Sequence, residues 1–267
     1  MAADAVRLTT RELSMRTFPD FEQFFSQVHG CACTLYFFGR HLTPLAGTAK
    51  ERADRLGAPD RSQKQFPHQE WMRAQQLSAV KELVRSWQAH GILVYADGEP
   101  VGWCHFGRAD EVPLECDHKI PEQMFARHPS SQWRITCLTT LMTYRRQGVA
   151  GTGLAAAVAA IRKHGGGWIG ATPMAFPHHD PMVGKLRKTF GHRSPEVLDY
   201  LQQNWPSKEI PGIGRVNACP ATTRTLGHMG TMSMFEKLGF KATGRDELRS
   251  SDDPRNPWGF VVMRLKV

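Results

Sequence analysis

No apolar run in this 267-residue chain is long enough to cross a bilayer: the longest, Leu154 to Ile161, is largely alanine and falls well short of the roughly 20 residues a spanning helix needs. A membrane-embedded role is therefore not expected. Residues 1–16 mix acids and bases without the basic-then-apolar order of a secretory leader, so the expected location is cytoplasmic. Cysteine is sparse. The six, at positions 31, 33, 104, 116, 137 and 219, contain no CxxC pair and no regular spacing, which disfavours a zinc knuckle and a disulfide framework. There is no internal repeat and no low-complexity tract beyond Gly165-Gly166-Gly167, which excludes solenoids and arrays. Acids are in deficit, 25 against 34 Lys and Arg, for a formal net charge of +9. That surplus favours encounter with polyanions or with a phosphate-rich ligand. The bases are spread along the chain rather than interleaved with aromatics, so nucleic acid is set aside as the expected partner.

What is present is ordinary globular material, 41% hydrophobic and 22% charged. Asp20 to Val28 reads as a short helix with Phe21, Phe24 and Phe25 on one side, and Cys31 to Phe38 as a strand. Gln69 to His90 reads as a helix closed by Gly91. Ile92 to Ala96 and Val101 to Gly107 are β-prone runs joined by Asp97-Gly98-Glu99-Pro100, which predicts an antiparallel hairpin. Trp133 to Thr140 alternates like a strand, Gly148 to His164 carries a helical stripe, and Trp168 to Thr172 is a short strand. Residues 173–225 are rich in Pro and His, with one helical piece near Ser194 to Asn204, and read as an insertion. A helix over His228 to Leu238 and strands over Phe240 to Arg245 and Phe260 to Val267 complete the order.

The stretch that carries chemistry is Tyr144-Arg145-Arg146-Gln147-Gly148-Val149-Ala150-Gly151-Thr152-Gly153, between a strand and a helix. Glycine lets successive backbone amides face one concavity, the helix start adds about half a positive charge, and the two arginines add mobile cations. Such a site suits a diphosphate or another compact anion. A Walker loop would end in Gly-Lys-Ser/Thr, and a dinucleotide fingerprint would need a parallel sheet; neither is here.

In Arg145-Arg146-Gln147-Gly148-Val149-Ala150 the chain resembles the GNAT superfamily, whose signature is Arg/Gln-x-x-Gly-x-Gly/Ala at a strand-to-helix junction. The hairpin around Asp97 to Trp103 looks like that family's second and third strands, and Met234-Phe235-Glu236-Lys237-Leu238-Gly239-Phe240 like its last helix-to-strand junction. Cys31-x-Cys33 with Gly102-Trp103-Cys104 and Trp133-x-x-x-Cys137 also resembles, more loosely, a bacterial subgroup. The resemblance implies a mixed α/β fold: a central, largely antiparallel sheet splayed between its fourth and fifth strands, flanked by helices. It implies one domain over residues 1–267, with a core from 92, residues 1–91 in the same fold, and an insertion at 173–225 after the fifth strand.

It also implies an N-acetyltransferase using acetyl-CoA as acyl donor, with direct attack by a small-molecule or peptide amine. By the same resemblance, Leu138, Thr139 and Thr140 would line the donor's arm, with the Thr140 amide polarising the thioester carbonyl. Arg145, Arg146, Gln147, Gly148, Val149, Ala150, Gly151, Thr152 and Gly153 would hold its pyrophosphate, and His228 would touch the arm. Where the family often has a Tyr acid this chain has Phe235, leaving Ser233 or Thr231, or a proton from solvent, for the departing thiolate. Candidate bases are His105, Glu111, Glu115 and Asp117. A non-catalytic acyl-CoA sensor and a basic nucleic-acid-associated module stay open as alternatives, and a homodimer is allowed. No metal is expected: Cys31, Cys33, Cys104 and Cys137 read as packed thiols, and His178-His179-Asp180 with His192 fits no helix-borne zinc spacing.

Overall fold

In a computed structural model of the chain, which describes residues 6–28, 68–112, 132–192, 194–221, 229–245 and 258–267, the Asp97-Gly98 step turns the backbone with φ of 51° and 89°. Two successive left-handed residues make the tight turn whose twist matches a hairpin. The strands it joins are β2 (His90–Ala96) and β3 (Glu99–Arg108). The described residues form a mixed α/β fold whose sheets are largely antiparallel, in two compact units, 1–160 and 161–267.

In the first unit, β1 (Leu8–Glu12) pairs antiparallel with β2, and β4 (Trp133–Thr140) pairs antiparallel with β3, Gly102 facing Thr140 and Arg108 facing Trp133. β1 has no signature of its own: Leu8 to Glu12 alternate too little for a strand, and it is the open edge of β2 that recruits them. β2, β3 and β4 are buried almost throughout, because both faces of the sheet are covered.

One face takes α1 (Phe18–Gln27), whose Phe18, Phe21, Phe24 and Phe25 are all buried. Phe21 and Phe25 meet the edge of the Trp103 ring at centroid distances of 4.9 and 6.0 Å. Tyr95 donates from its hydroxyl to Asp20 Oδ2 at 2.6 Å, which ties β2 to the start of α1 and, with burial, raises the phenol's pKa. Helix α2 (His68–Arg85) ends before the expected cap, and Gly91 is not a cap at all: it lies in β2. A Cβ on Gly91 would stand 2.0 Å from Cη2 of the Trp103 ring, so the glycine is there to admit the indole. The strand expected over Cys31 to Phe38 lies outside the described residues.

On the same face as Trp103, His105 is fully buried, shares a hydrogen bond through Nδ1 with Thr136 Oγ1, and faces Cys137 across the strands. Burial, and secondarily the neighbouring His90, hold its pKa down to about 3. The unfolded chain takes up a proton near pH 6.5 that the folded chain refuses, so this contribution is complete above about pH 6.5 and is lost as pH falls from there toward 3. Between pH 7.5 and 4.5 the wild type is expected to lose about 2–3 kcal/mol from this source. Urea denaturation at the two pH values checks it: His105→Asn should flatten the difference, and an unchanged difference would acquit His105.

The chain enters the second unit through α3 (Val149–Lys163). There β5 (Trp168–Ala171), β11 (Val261–Lys266) and β10 (Lys241–Arg245) pair antiparallel in that spatial order. The segment read as an insertion holds two short ladders, β6 (Pro177–His178) with β9 (Cys219–Pro220) and β7 (Ser207–Ile210) with β8 (Gly214–Asn217). It also holds two helices where one was expected. α4 (Pro181–Phe190) is capped by Asp180, which accepts from the Met182 amide at 2.8 Å, and α5 (Pro195–Asn204) by Ser194. Val183, Val197 and Leu201 bury one another between them, and Tyr200 donates to Asp180 at 2.9 Å. Only a short helix, α6 (Met232–Glu236), forms within His228 to Leu238.

Candidate functional site

The end of β4 and the start of α3 are joined by a 3₁₀ turn, Met142–Tyr144, and a loop with two left-handed residues, Arg146 (φ 63°) and Gly148 (φ 84°). Gly148 tolerates that conformation; Arg146 adopts it at a cost that an L side chain ordinarily avoids. Alternation of hand along a short stretch turns successive amides toward one side, the arrangement that makes an anion-binding concavity. The Gln147 carboxamide is turned back, its Nε2 donating to the Thr143 carbonyl at 3.0 Å, so what that residue offers outward is its backbone.

The first helical hydrogen bond of α3 runs from the Thr152 amide to the Gly148 carbonyl at 2.9 Å. Val149, Ala150 and Gly151 thus occupy the first turn, whose amides have no acceptor within the helix. Around two of these positions there is room: a Cβ built on Gly148 or on Gly151 meets nothing within 4 Å. Glycine at an exposed helical position such as Gly151 costs about 1 kcal/mol relative to alanine, and no packing among the described residues requires it there. A concavity lined by backbone amides, flanked by Arg145 and Arg146 and left open by two glycines, fits a diphosphate.

β4 supplies the second half of the site. The Leu141 amide donates to the Val101 carbonyl at 3.0 Å, so by antiparallel alternation Thr139 is bonded toward β3 while the backbone groups of Thr140 and Leu138 point away from it. Leu138 and Thr139 are buried and Thr140 is half-buried. The Thr140 amide thus points to the side of β4 away from β3, the side along which an extended ligand would run, and the sequence-derived set from Leu138 to Gly153 falls into one continuous strand–turn–helix.

His105 and Glu111, in the same unit, are not part of this strand–turn–helix. His105 is buried and, with its lowered pKa, is neutral near pH 7 and a poor proton acceptor. Glu111 accepts from the Arg108 amide at 3.0 Å and lies 3.1 Å from His90 Nε2. It follows the far end of β3 from Gly102, on the order of 20 Å along the strand from the level of Thr140. Glu115, Asp117 and His228 lie outside the described residues. In the second unit, Ser233 is exposed and its Oγ is 3.1 Å from Thr231 Oγ1. Phe235 is buried, edge-on to Phe240 at 5.1 Å, and belongs to the core. Among the described residues no group of three His, Cys, Asp or Glu is placed to hold a metal ion, and no helix is long and apolar enough to cross a membrane.

Sequence reading missed how the helix start is seated. A Cβ on Gly102 would lie 2.3 Å from Val149 Cγ1, and one on Gly153 would lie 3.1 Å from Val94 Cγ2 and 3.4 Å from Cys104 Cβ. A small residue within a strand signals close approach of another backbone, but which element approaches is a tertiary fact.

No family model matches the chain, and no curated protein matches it in sequence. Among solved structures it is similar to the ribosomal-protein-S18-alanine N-acetyltransferase of Escherichia coli, with 10% identity over 98% of this chain and 94% of that one and a TM-score of 0.38. The ribosomal-protein-S5-alanine acetyltransferase of Vibrio fischeri gives 11% identity, 100% and 95% coverage and a TM-score of 0.42. A GNAT-family acetyltransferase of Streptococcus pneumoniae gives 10%, 98% and 99%, and 0.42. At TM-scores below 0.5 these likenesses add no weight to the chemistry of the site.

Proposed function

We propose that the chain is a GNAT-type N-acetyltransferase that moves an acetyl group from acetyl-CoA to a primary amine on a small molecule or peptide, its residues 1–267 working as one catalytic domain. The observation that carries this reading is the continuity of the site: an outward-facing strand amide at Thr140 runs directly into an open, amide-lined helix start flanked by Arg145 and Arg146.

Acetyl-CoA would supply an activated acyl group as a thioester. The amides from Gln147 to Thr152 and the two arginines would bind its diphosphate, and the side of β4 from Leu138 to Thr140 would orient its arm. The Thr140 amide would donate to the thioester carbonyl oxygen as it gains negative charge; a preorganised donor of this kind is worth a factor of roughly a hundred or more in rate. The amine forms the new N–C bond as the C–S bond breaks, giving up its proton to water, and the departing thiolate takes a proton from water. Because a thiolate is a stable leaving group near neutral pH, the buried Phe235 in place of a phenol does not forbid turnover.

Calorimetric titration of the purified protein with acetyl-CoA, desulfo-CoA and ATP tests the reading. Micromolar binding of the two CoA compounds over ATP, followed by release of free thiol in an amine screen, is the expected result. No binding at millimolar acetyl-CoA would overturn it, and binding without turnover on any amine would leave an acyl-CoA-binding module.

A further inference from the structure

The two ends of the proposed donor site are set by different elements, β4 and α3, and Gly102 and Val149 join β3 to the start of α3 by close approach. Gly102 is the cross-strand partner of Thr140 and shares its face of the sheet. Val149, the first residue of α3, is 2% exposed, and its Cγ1 stands where it would be 2.3 Å from a Cβ on Gly102; Val94 Cβ would be 3.2 Å away. Four residues along the same face of the helix, Gly153 lets α3 rest on Val94 and Cys104. The helix is thus keyed to the hairpin at two points: a side chain of α3 fills a hole in β3, and a gap in α3 receives side chains of β2 and β3. Sliding the helix start along its axis, or turning it, would lift Val149 out of the hole.

We propose, resting on the donor reading above, that Gly102 is a positioning residue: by seating Val149 it fixes how far the phosphate-facing amides of α3 lie from the acyl-facing amide of Thr140. A donor held at both ends must match that separation, whereas a ligand held only at the helix start need not. A methyl group on Gly102 would force Val149 back by on the order of 1 Å to reach ordinary contact. Misplacement of that size can cost up to roughly a hundredfold where two groups must be met at once.

The test compares acetyl-CoA with 3′-phospho-ADP, which carries the diphosphate half without the arm, by calorimetry on the full chain. Gly102→Ala is expected to weaken acetyl-CoA by about tenfold or more while leaving 3′-phospho-ADP within about twofold. Gly102→Ala/Val149→Ala, which removes the clashing Cγ1 and keeps every backbone amide, is expected to recover most of the loss. Val149→Ala alone, which empties the hole and removes no amide, should show the same selectivity in weaker form, and serves if Gly102→Ala does not fold. Equal acetyl-CoA affinity for wild type and Gly102→Ala, or parallel losses for both ligands without rescue, would overturn the positioning role and spare the donor reading. Failure of the wild type to bind either ligand would overturn the donor reading, and this inference with it.

Discussion

Replacing Gly91 with alanine is expected to destabilise the first unit by about 3 kcal/mol, the largest effect of any single methyl group in the β2–β3 hairpin. The new Cβ would stand at 2.0, 2.5 and 2.6 Å from three carbon atoms of the Trp103 ring. The ring has nowhere to retreat: Phe21 and Phe25 close one side, and His105 is stacked 6.3 Å away. Trp103 is itself 1% exposed, so relief must come from a shift of α1 or of the strand. Urea denaturation gives the measurement. Trp103→Leu in the Gly91→Ala background should recover part of the loss relative to Trp103→Leu alone, because the two changes relieve one clash. A loss under about 0.5 kcal/mol for Gly91→Ala would refute this account of the glycine.

The second large effect is on ligand affinity rather than stability. Gly148→Glu is expected to weaken acetyl-CoA by about a hundredfold or more, since it places a carboxylate beside the proposed anion site and puts a side chain on a left-handed backbone position. That variant changes two things at once, and Gly151→Glu separates them. Gly151 is exposed in the first turn of α3, and a Cβ there meets nothing. A glutamate at that position gains helix propensity over glycine and interacts well with the helix start, so the free protein should be as stable as wild type or up to about 1 kcal/mol more stable. Its affinity for acetyl-CoA should nonetheless fall by about tenfold or more. Thermal melts and titrations on the two proteins check the pair; a stable Gly151→Glu protein that binds acetyl-CoA as wild type does would place the diphosphate elsewhere.

Much of this was legible in the sequence, for definite reasons. Asp-Gly between two β-prone runs left little choice but a hairpin, and the phenylalanines of α1 fall on one helical face. The strand–turn–helix from Trp133 to Lys163 was legible because Gly148 marks the break and the Leu154, Val158, Ile161 stripe marks the helix. What failed did so where a distant partner decides. Gly91 looked like a helix cap because glycine commonly ends helices, but its conformation is a strand's and its reason is the indole of Trp103. β1 carries little pattern of its own and exists through its pairing with β2. α4 was hidden by prolines, though Pro181 directly after Asp180 is a sound helix start. The role of Gly102 was beyond sequence, since its partner Val149 is remote in the chain.

The thiols beside β4 have a consequence for chemical selectivity. Cys137 is buried within the strand that ends in Thr140 and Cys104 on the strand paired with it, and burial raises the Cys104 thiol well above its ordinary pKa. An acyl thioester brought along that strand would otherwise meet neighbouring sulfur nucleophiles and pass its acyl group to the protein by thiol–thioester exchange. That exchange needs an accessible thiolate. Both sulfurs are out of reach, and that of Cys104 is held protonated as well, so in the proposed reaction they would be poor traps and would not compete locally with an incoming amine for the acyl carbon.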